Sequence, residues 1–186
     1  DQKTFHERYE AMPESVKAEL IGGVVHMPSP LKHHHGLTHA DVMLWLGLYA
    51  SETPGVNPYD NTTAILGEES EPQPDPYVIV TPEAGGQVHY NIDEYLVGAP
   101  ELIVEVASST ESIDLHAKRD DYQQAGVREY LVVALRQARL FWFVLRTEHF
   151  QELQPGADGI FRSEVFPGLW LDPSALLRRD LKRLKD

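Results

Sequence analysis

The stretch Glu101-Leu102-Ile103-Val104-Glu105-Val106-Ala107 decides how the chain is read. Its Leu, Ile and Val residues are those of a strand buried on both faces, yet a carboxylate stands among them. Burying a carboxylate is costly unless it is paired or binds a cation. Thirty residues earlier a second strand pattern, Pro74-Asp75-Pro76-Tyr77-Val78-Ile79-Val80, carries Asp75 near its start. A third, Lys17-Ala18-Glu19-Leu20-Ile21, carries Glu19. Three acids in strand patterns point to a metal site.

Working outward from these segments, the pattern alternates strands with helices. Thr4 and Glu7 have capping-box spacing and predict a short helix ending before Pro13. Val16–Ile21 and Val24–Met27 flank Gly22-Gly23, a hairpin turn signal. From His35 to Glu52, apolar residues such as Val42, Trp45 and Tyr49 recur at helical spacing. Short strands are expected at Val56–Tyr59 and Thr62–Leu66, followed by an acidic loop over Gly67–Pro72. A helix opens at Ser108–Ser112 and stops at Gly126, and Glu129–Leu135 reads as a central buried strand. Arg139–Arg146 and two outlying strands, near Glu148–Leu153 and Phe161–Val165, are expected to continue the sheet; Ser174–Lys185 closes the chain as a helix. The Phe141-Trp142-Phe143 cluster reads as strand core. The fold class is α/β: one domain over residues 1–186, with a mixed central sheet, flanking helices and an N-terminal hairpin.

Composition narrows the function classes. The chain has 16 Lys and Arg against 29 Asp and Glu, a formal charge of −13. That opposes general attraction to nucleic acid, so binding to DNA needs a local basic face or bound cations. There are no cysteines, which excludes disulfides and thiol catalysis and fits a reducing cytoplasm. No apolar stretch is long enough for a membrane span, and the polar opening Asp1–His6 gives no sign of a secretory leader.

On neighbouring strands, Asp75 and Glu105 would converge on one hard cation such as Mg²⁺. On the helix that follows, Asp114, Lys118 and Tyr122 fall at i, i+4 and i+8 and share a face. Lys118 is the cation to aim at the nucleophile or the scissile phosphate; an ordinary surface pair with Asp114 or Asp121 is its competing assignment, worth about 0.3–0.5 kcal/mol. His35 and His39, also one turn apart, have zinc-ligand spacing, although Gly36 stands where a metalloprotease would carry Glu.

These segments resemble the restriction-endonuclease-like superfamily, whose signature is Pro-Asp, then Asp or Glu, any residue, and Lys. More narrowly, the chain is similar to the bacterial Uma-type family of restriction endonucleases. The resemblance rests on Lys17–Gly23, Pro28-Ser29-Pro30 leading to His35-Gly36, Pro74-Asp75, Pro100–Ser108, Asp114, Lys118 with Tyr122, Gly126–Tyr130 and Pro167-Gly168-Leu169, in that order. It implies an endonuclease that hydrolyses DNA through a metal-activated water, with Mg²⁺ or Mn²⁺ as cofactor and a homodimer as the working form. It makes Asp75, Glu105 and the Val106 carbonyl the metal ligands, and Glu19 and Lys118 further catalytic groups. His35 and Tyr122 are expected to contact substrate. The superfamily lysine would fall at Ala107; the narrower family also lacks it there, and Lys118 is the candidate replacement. Two alternatives stand beside this reading: a catalytically inactive binding or assembly module on the same core, and a zinc hydrolase using His35 and His39.

Overall fold

The structure, a computed structural model, describes residues 1–13 and 15–185. Helix α1 (Gln2–Glu10) is capped by Asp1, whose carboxylate accepts the Thr4 N–H at 2.9 Å. The expected Thr4 cap is therefore displaced by three residues, because Asp1 is an equally good capping residue and reaches the third amide of the helix. Strands β1 (Glu19–Ile21) and β2 (Val24–His26) form the expected hairpin. Gly22 and Gly23 have φ of 53° and 77°, and a two-residue turn of this kind needs positive φ at both positions.

Next come α2 (His33–Ser51), β3 (Val56–Asp60), β4 (Ala64–Ile65), β5 (Pro76–Val80), β6 (His89–Tyr90), β7 (Leu96–Val97) and β8 (Leu102–Ala107). After β8, a short helix α3 (Glu111–Ile113) passes through a π turn (Asp114–Lys118) into α4 (Arg119–Ala125). Gly126, at φ 87°, ends that helix in the left-handed conformation that suits glycine. The chain continues with β9 (Glu129–Ala134), β10 (Arg139–Arg146), β11 (His149–Glu152), β12 (Phe161–Arg162), β13 (Trp170–Leu171), α5 (Pro173–Arg178) and α6 (Leu181–Lys185).

Six strands form the central sheet in the order β11-β10-β9-β8-β5-β3. Only β8 and β9 are parallel, joined by the helical segment 111–125, so the sheet is mixed as expected. Strand alternation then sorts the core into two layers. Leu102, Val104 and Val106 of β8 pack with Val42, Trp45 and Leu46 of α2 on one face. Ile103 and Ala107 pack with Tyr77, Ile79, Tyr122 and Tyr130 on the other. Each fully buried Leu, Ile or Val contributes about 1.5–3 kcal/mol relative to exposure, so the two layers hold the sheet firmly. Glu105 is in phase with Ile103 and Ala107, and Asp75 with Tyr77 and Ile79. Asp75 lies just before β5, where the alternation no longer binds it, and its carboxylate turns instead to His35 and His39 of α2.

Three sequence expectations are corrected. Phe161–Arg162 leaves the central sheet and pairs with Trp170–Leu171 in a separate ribbon. The closing helix is two helices, broken where Arg179 adopts φ 58° and its guanidinium bonds Asp41 at 2.7 and 3.1 Å. The acidic segment 67–72 is no loose loop: Glu71 is buried, its backbone pairs with Leu20, and its carboxylate accepts from Gln2 at 2.7 Å and meets His6 at 2.8 Å. Of the three-stranded sheet β4-β7-β6, the sequence announced only β4, within Thr62–Leu66; β6 and β7, two residues each, went unforeseen. Among the described residues, no helix is long and apolar enough to cross a membrane.

The buried Glu101 carboxylate accepts the Val80 and Gln87 N–H groups at 2.8 and 3.0 Å and ties β5 to the loop after it. Glu101→Ala strands both donors and should lower unfolding free energy by about 2–4 kcal/mol in urea titration.

Candidate active site

The ladder between β5 and β8 pairs Tyr77 with Ile103 and Val78 with Leu102. Two residues further in the same register, Asp75 comes level with Glu105. There the backbone pairing stops, and Asp75 Oδ2 accepts the Val106 N–H at 2.9 Å instead. The proline on each side of Asp75 favours this departure from the ladder, since Pro76 has no N–H to give. Val106 is thus an amide donor to Asp75.

Glu105 accepts two hydrogen bonds on the same oxygen, from Lys118 Nζ and from the Tyr122 hydroxyl, each at 2.9 Å. Lys118 also donates to Glu19 Oε1 at 3.1 Å, and Glu19 Oε1 accepts the Gln73 N–H at 2.9 Å. Hairpin, central strand and helix are therefore pinned together at one ammonium. The π turn and the first turn of α4 face the site: Asp114 and Lys118 of the one and Tyr122 of the other are buried. The widened backbone of the π turn leaves the Asp114 carbonyl to accept the Tyr130 hydroxyl at 2.9 Å. Single π turns of this kind often lie at functional sites.

Tyr122 is fully buried behind the cleft wall, and its hydroxyl orients Glu105. His35 lines the cleft, and its Nε2 lies 3.2 Å from Asp75 Oδ2. His39 adds a contact that no sequence signal for the nuclease site identified, with Nδ1 3.4 Å from Asp75 Oδ1 and Nε2 2.6 Å from Asp60 Oδ1. Helical spacing pairs the two histidines; nothing in the local sequence pairs either with Asp75 or Asp60. Glu19, Asp75, Glu105 and Lys118 all line one cleft of about 640 Å³, too large for an ion alone and suited to a segment of substrate.

The electrostatics follow from four carboxylates (Glu19, Asp75, Glu105, Asp114) gathered around one ammonium. Burial pushes Glu105 up from the usual carboxylate range, and Lys118 pulls it back. Asp114 is raised in the same way. Burial works against the Lys118 ammonium, but Glu105, Glu19 and Asp114 outweigh it and hold that group above the usual lysine value. The lysine keeps its proton while Glu105 and Asp114 gain one more easily than a free carboxylate, as burial and crowded acids require. Asp75 differs. Burial would raise it, but the His35 and His39 imidazoles and the Val106 amide outweigh that and hold it well below 3.8.

The sheet order and the acid-and-lysine cleft define a nuclease-like α/β fold. The solved structure of a protein from Anabaena variabilis, titled a putative nuclease of DUF820, shares that fold, with a TM-score of 0.70 and 12% identity, over 92% of this chain and 96% of that one. Residues 4–174 match the Uma2 family, described as "Putative restriction endonuclease", and the chain belongs to that family. No curated protein matches the chain.

The depressed Asp75 value has a stability consequence. A carboxylate whose folded value lies below its unfolded one stabilises fully above about pH 4 and loses that contribution as pH falls through the folded value. Asp75→Asn should therefore flatten the acid limb of the urea midpoint between about pH 4 and pH 2. An unchanged limb would place the acid sensitivity elsewhere.

Proposed function

We propose that this chain is an endonuclease that uses Mg²⁺ or Mn²⁺ to hydrolyse DNA phosphodiester bonds. One observation carries the reading. The Lys118 ammonium bonds Glu105 at 2.9 Å in the cleft that Asp75 also lines, so the helix returns the lysine that Ala107 lacks. Four carboxylates with one buried ammonium among them make an oxygen-rich set that fits a hard divalent ion. Asp75 and Glu105 would hold it, with the Val106 carbonyl as a third ligand by family resemblance. Such an ion supplies Lewis-acid stabilisation at the phosphoryl oxygens and lowers the pKa of water.

The chain's own groups do the rest. Lys118 offers a fixed positive charge to the phosphate, and Glu19 holds the free end of that side chain in place. Tyr122 fixes the rotamer of Glu105, so the carboxylate is preorganised before substrate arrives. Overall charge of −13 repels DNA, but Lys17, His26 and Lys32 on the cleft wall give the local basic face that binding needs. Cutting both strands takes two such sites, which a second copy of this chain would supply. A cysteine-free chain suits work in the reducing cytoplasm.

The test is cleavage of supercoiled plasmid with Mg²⁺ or Mn²⁺. Wild type should nick it, Lys118→Ala should be slower by about 10²–10³-fold, and Glu105→Ala should be slower still. Cleavage that survives Glu105→Ala would belong to another site or a contaminant. No cleavage by wild type would leave the binding-module alternative.

A further inference from the structure

Beside the cleft lies a second cluster, of which the Glu105 site uses only Asp75. His35, His39 and Asp75 each present one ligand atom, and these atoms lie within 4.8 Å of one another. We propose that they form a separate cation seat for a zinc-class ion (Zn²⁺ or Co²⁺), with Asp75 shared between this seat and that of Glu105. The sharing rests on the function proposed above; the imidazole seat stands without it.

Chemistry separates the two seats. Mg²⁺ takes oxygen ligands, whereas imidazole nitrogen suits zinc and its neighbours. His35 and His39 lie one turn apart at the start of α2, and they straddle Asp75. His35 Nε2 meets Oδ2 at 3.2 Å, and His39 Nδ1 meets Oδ1 at 3.4 Å. Both distances exceed the roughly 2.7–2.9 Å of a tight charge-assisted bond, so the three groups leave room between them. Two nitrogens and one carboxylate are the protein ligands of many zinc centres that keep a position open for water or substrate.

The surroundings match. His39 Nε2 lies 2.6 Å from Asp60 Oδ1. A metal-ligating histidine usually gives its other N–H to a carboxylate, which fixes the ring and leaves the facing nitrogen free to bind. With Nε2–H on Asp60, that free nitrogen is Nδ1, the one turned to Asp75. His35 is 6% exposed, and its Nδ1 has no hydrogen-bond partner. The buried ring is held by its surroundings, and its one polar contact, at Nε2, is with Asp75. Asp60 is a positioning residue here, acting through His39.

The experiment titrates Zn²⁺ calorimetrically into metal-stripped full chain held in millimolar Mg²⁺. Wild type should bind one Zn²⁺ that Mg²⁺ does not displace. His39→Ala should weaken it at least tenfold, and Asp60→Asn, at an exposed position that leaves the fold intact, by about 10–100-fold. Glu105→Gln should hold Zn²⁺ within about twofold of wild type, and so should the double substitution of the exposed neighbours His33 and His34 to alanine. Co²⁺ should give visible absorption bands in wild type that His39→Ala loses. No Zn²⁺ binding by wild type, equal binding by wild type and His39→Ala, or loss that follows His33 and His34 would each overturn the proposal. If Glu105→Gln lost as much as His39→Ala, a single mixed site would replace the two seats. Failure of the nuclease reading would show separately, as wild type that binds Zn²⁺ but does not cut DNA with any metal.

Discussion

The Lys118 ammonium, buried between the carboxylates of Glu105 and Glu19, is the contact on which the rest of the site depends. It joins three pieces that are far apart in sequence: the first strand of the hairpin, the central strand β8 and the helical segment 111–125. A buried ion pair is rarely the cheapest way to join elements, because desolvation offsets most of the Coulomb gain. Apolar side chains of similar volume would do that job at least as well. That three such groups are kept here, with Tyr122 fixing one of them, argues that charge at this spot has a use. Losing Lys118 alone would leave Glu105 buried without its counter-charge, and such losses cost about 3–5 kcal/mol.

Asp75 organises the other half of the cleft. The two prolines free it from the ladder, the Val106 amide takes one of its oxygens, and two imidazoles from α2 flank it. Lys118 therefore ties the hairpin to one layer of the fold, while Asp75 ties the sheet to α2 on the other. The cleft lies where these two networks meet. Burial, with the neighbouring acids adding to it, pushes Glu105 and Asp114 upward, while Asp75, with histidines beside it, is pushed down.

Much of this was readable beforehand, for definable reasons. The Leu102–Ala107 and Glu129–Ala134 strands announce themselves because a strand buried on both faces must be apolar at nearly every position. Asp75 and Glu105 stand out against that background, and helical spacing groups Lys118 with Tyr122. What escaped was set by contacts with no local signal. Asp60 reaches His39 across 21 residues, and the Tyr130 hydroxyl reaches the Asp114 carbonyl of the π turn across 16. The depth of Tyr122 was not legible either, because spacing gives a face but not how deeply that face lies. The break between α5 and α6 sits at an arginine, where no glycine or proline marks it, and the salt bridge to Asp41 goes with that left-handed residue.

The central claim is that the Lys118-centred acids leave room for a divalent cation held by Asp75 and Glu105. Thermal unfolding as a function of Mg²⁺ concentration tests it most directly, because an ion that binds only the folded chain must raise Tm. At about 100 times Kd the linkage is worth about 2.7 kcal/mol, or about 5–10 °C for a chain of this size. Wild type should show that rise and Glu105→Gln should not. A wild-type Tm that stays flat across millimolar Mg²⁺, or a rise of equal size in Glu105→Gln, would contradict the account.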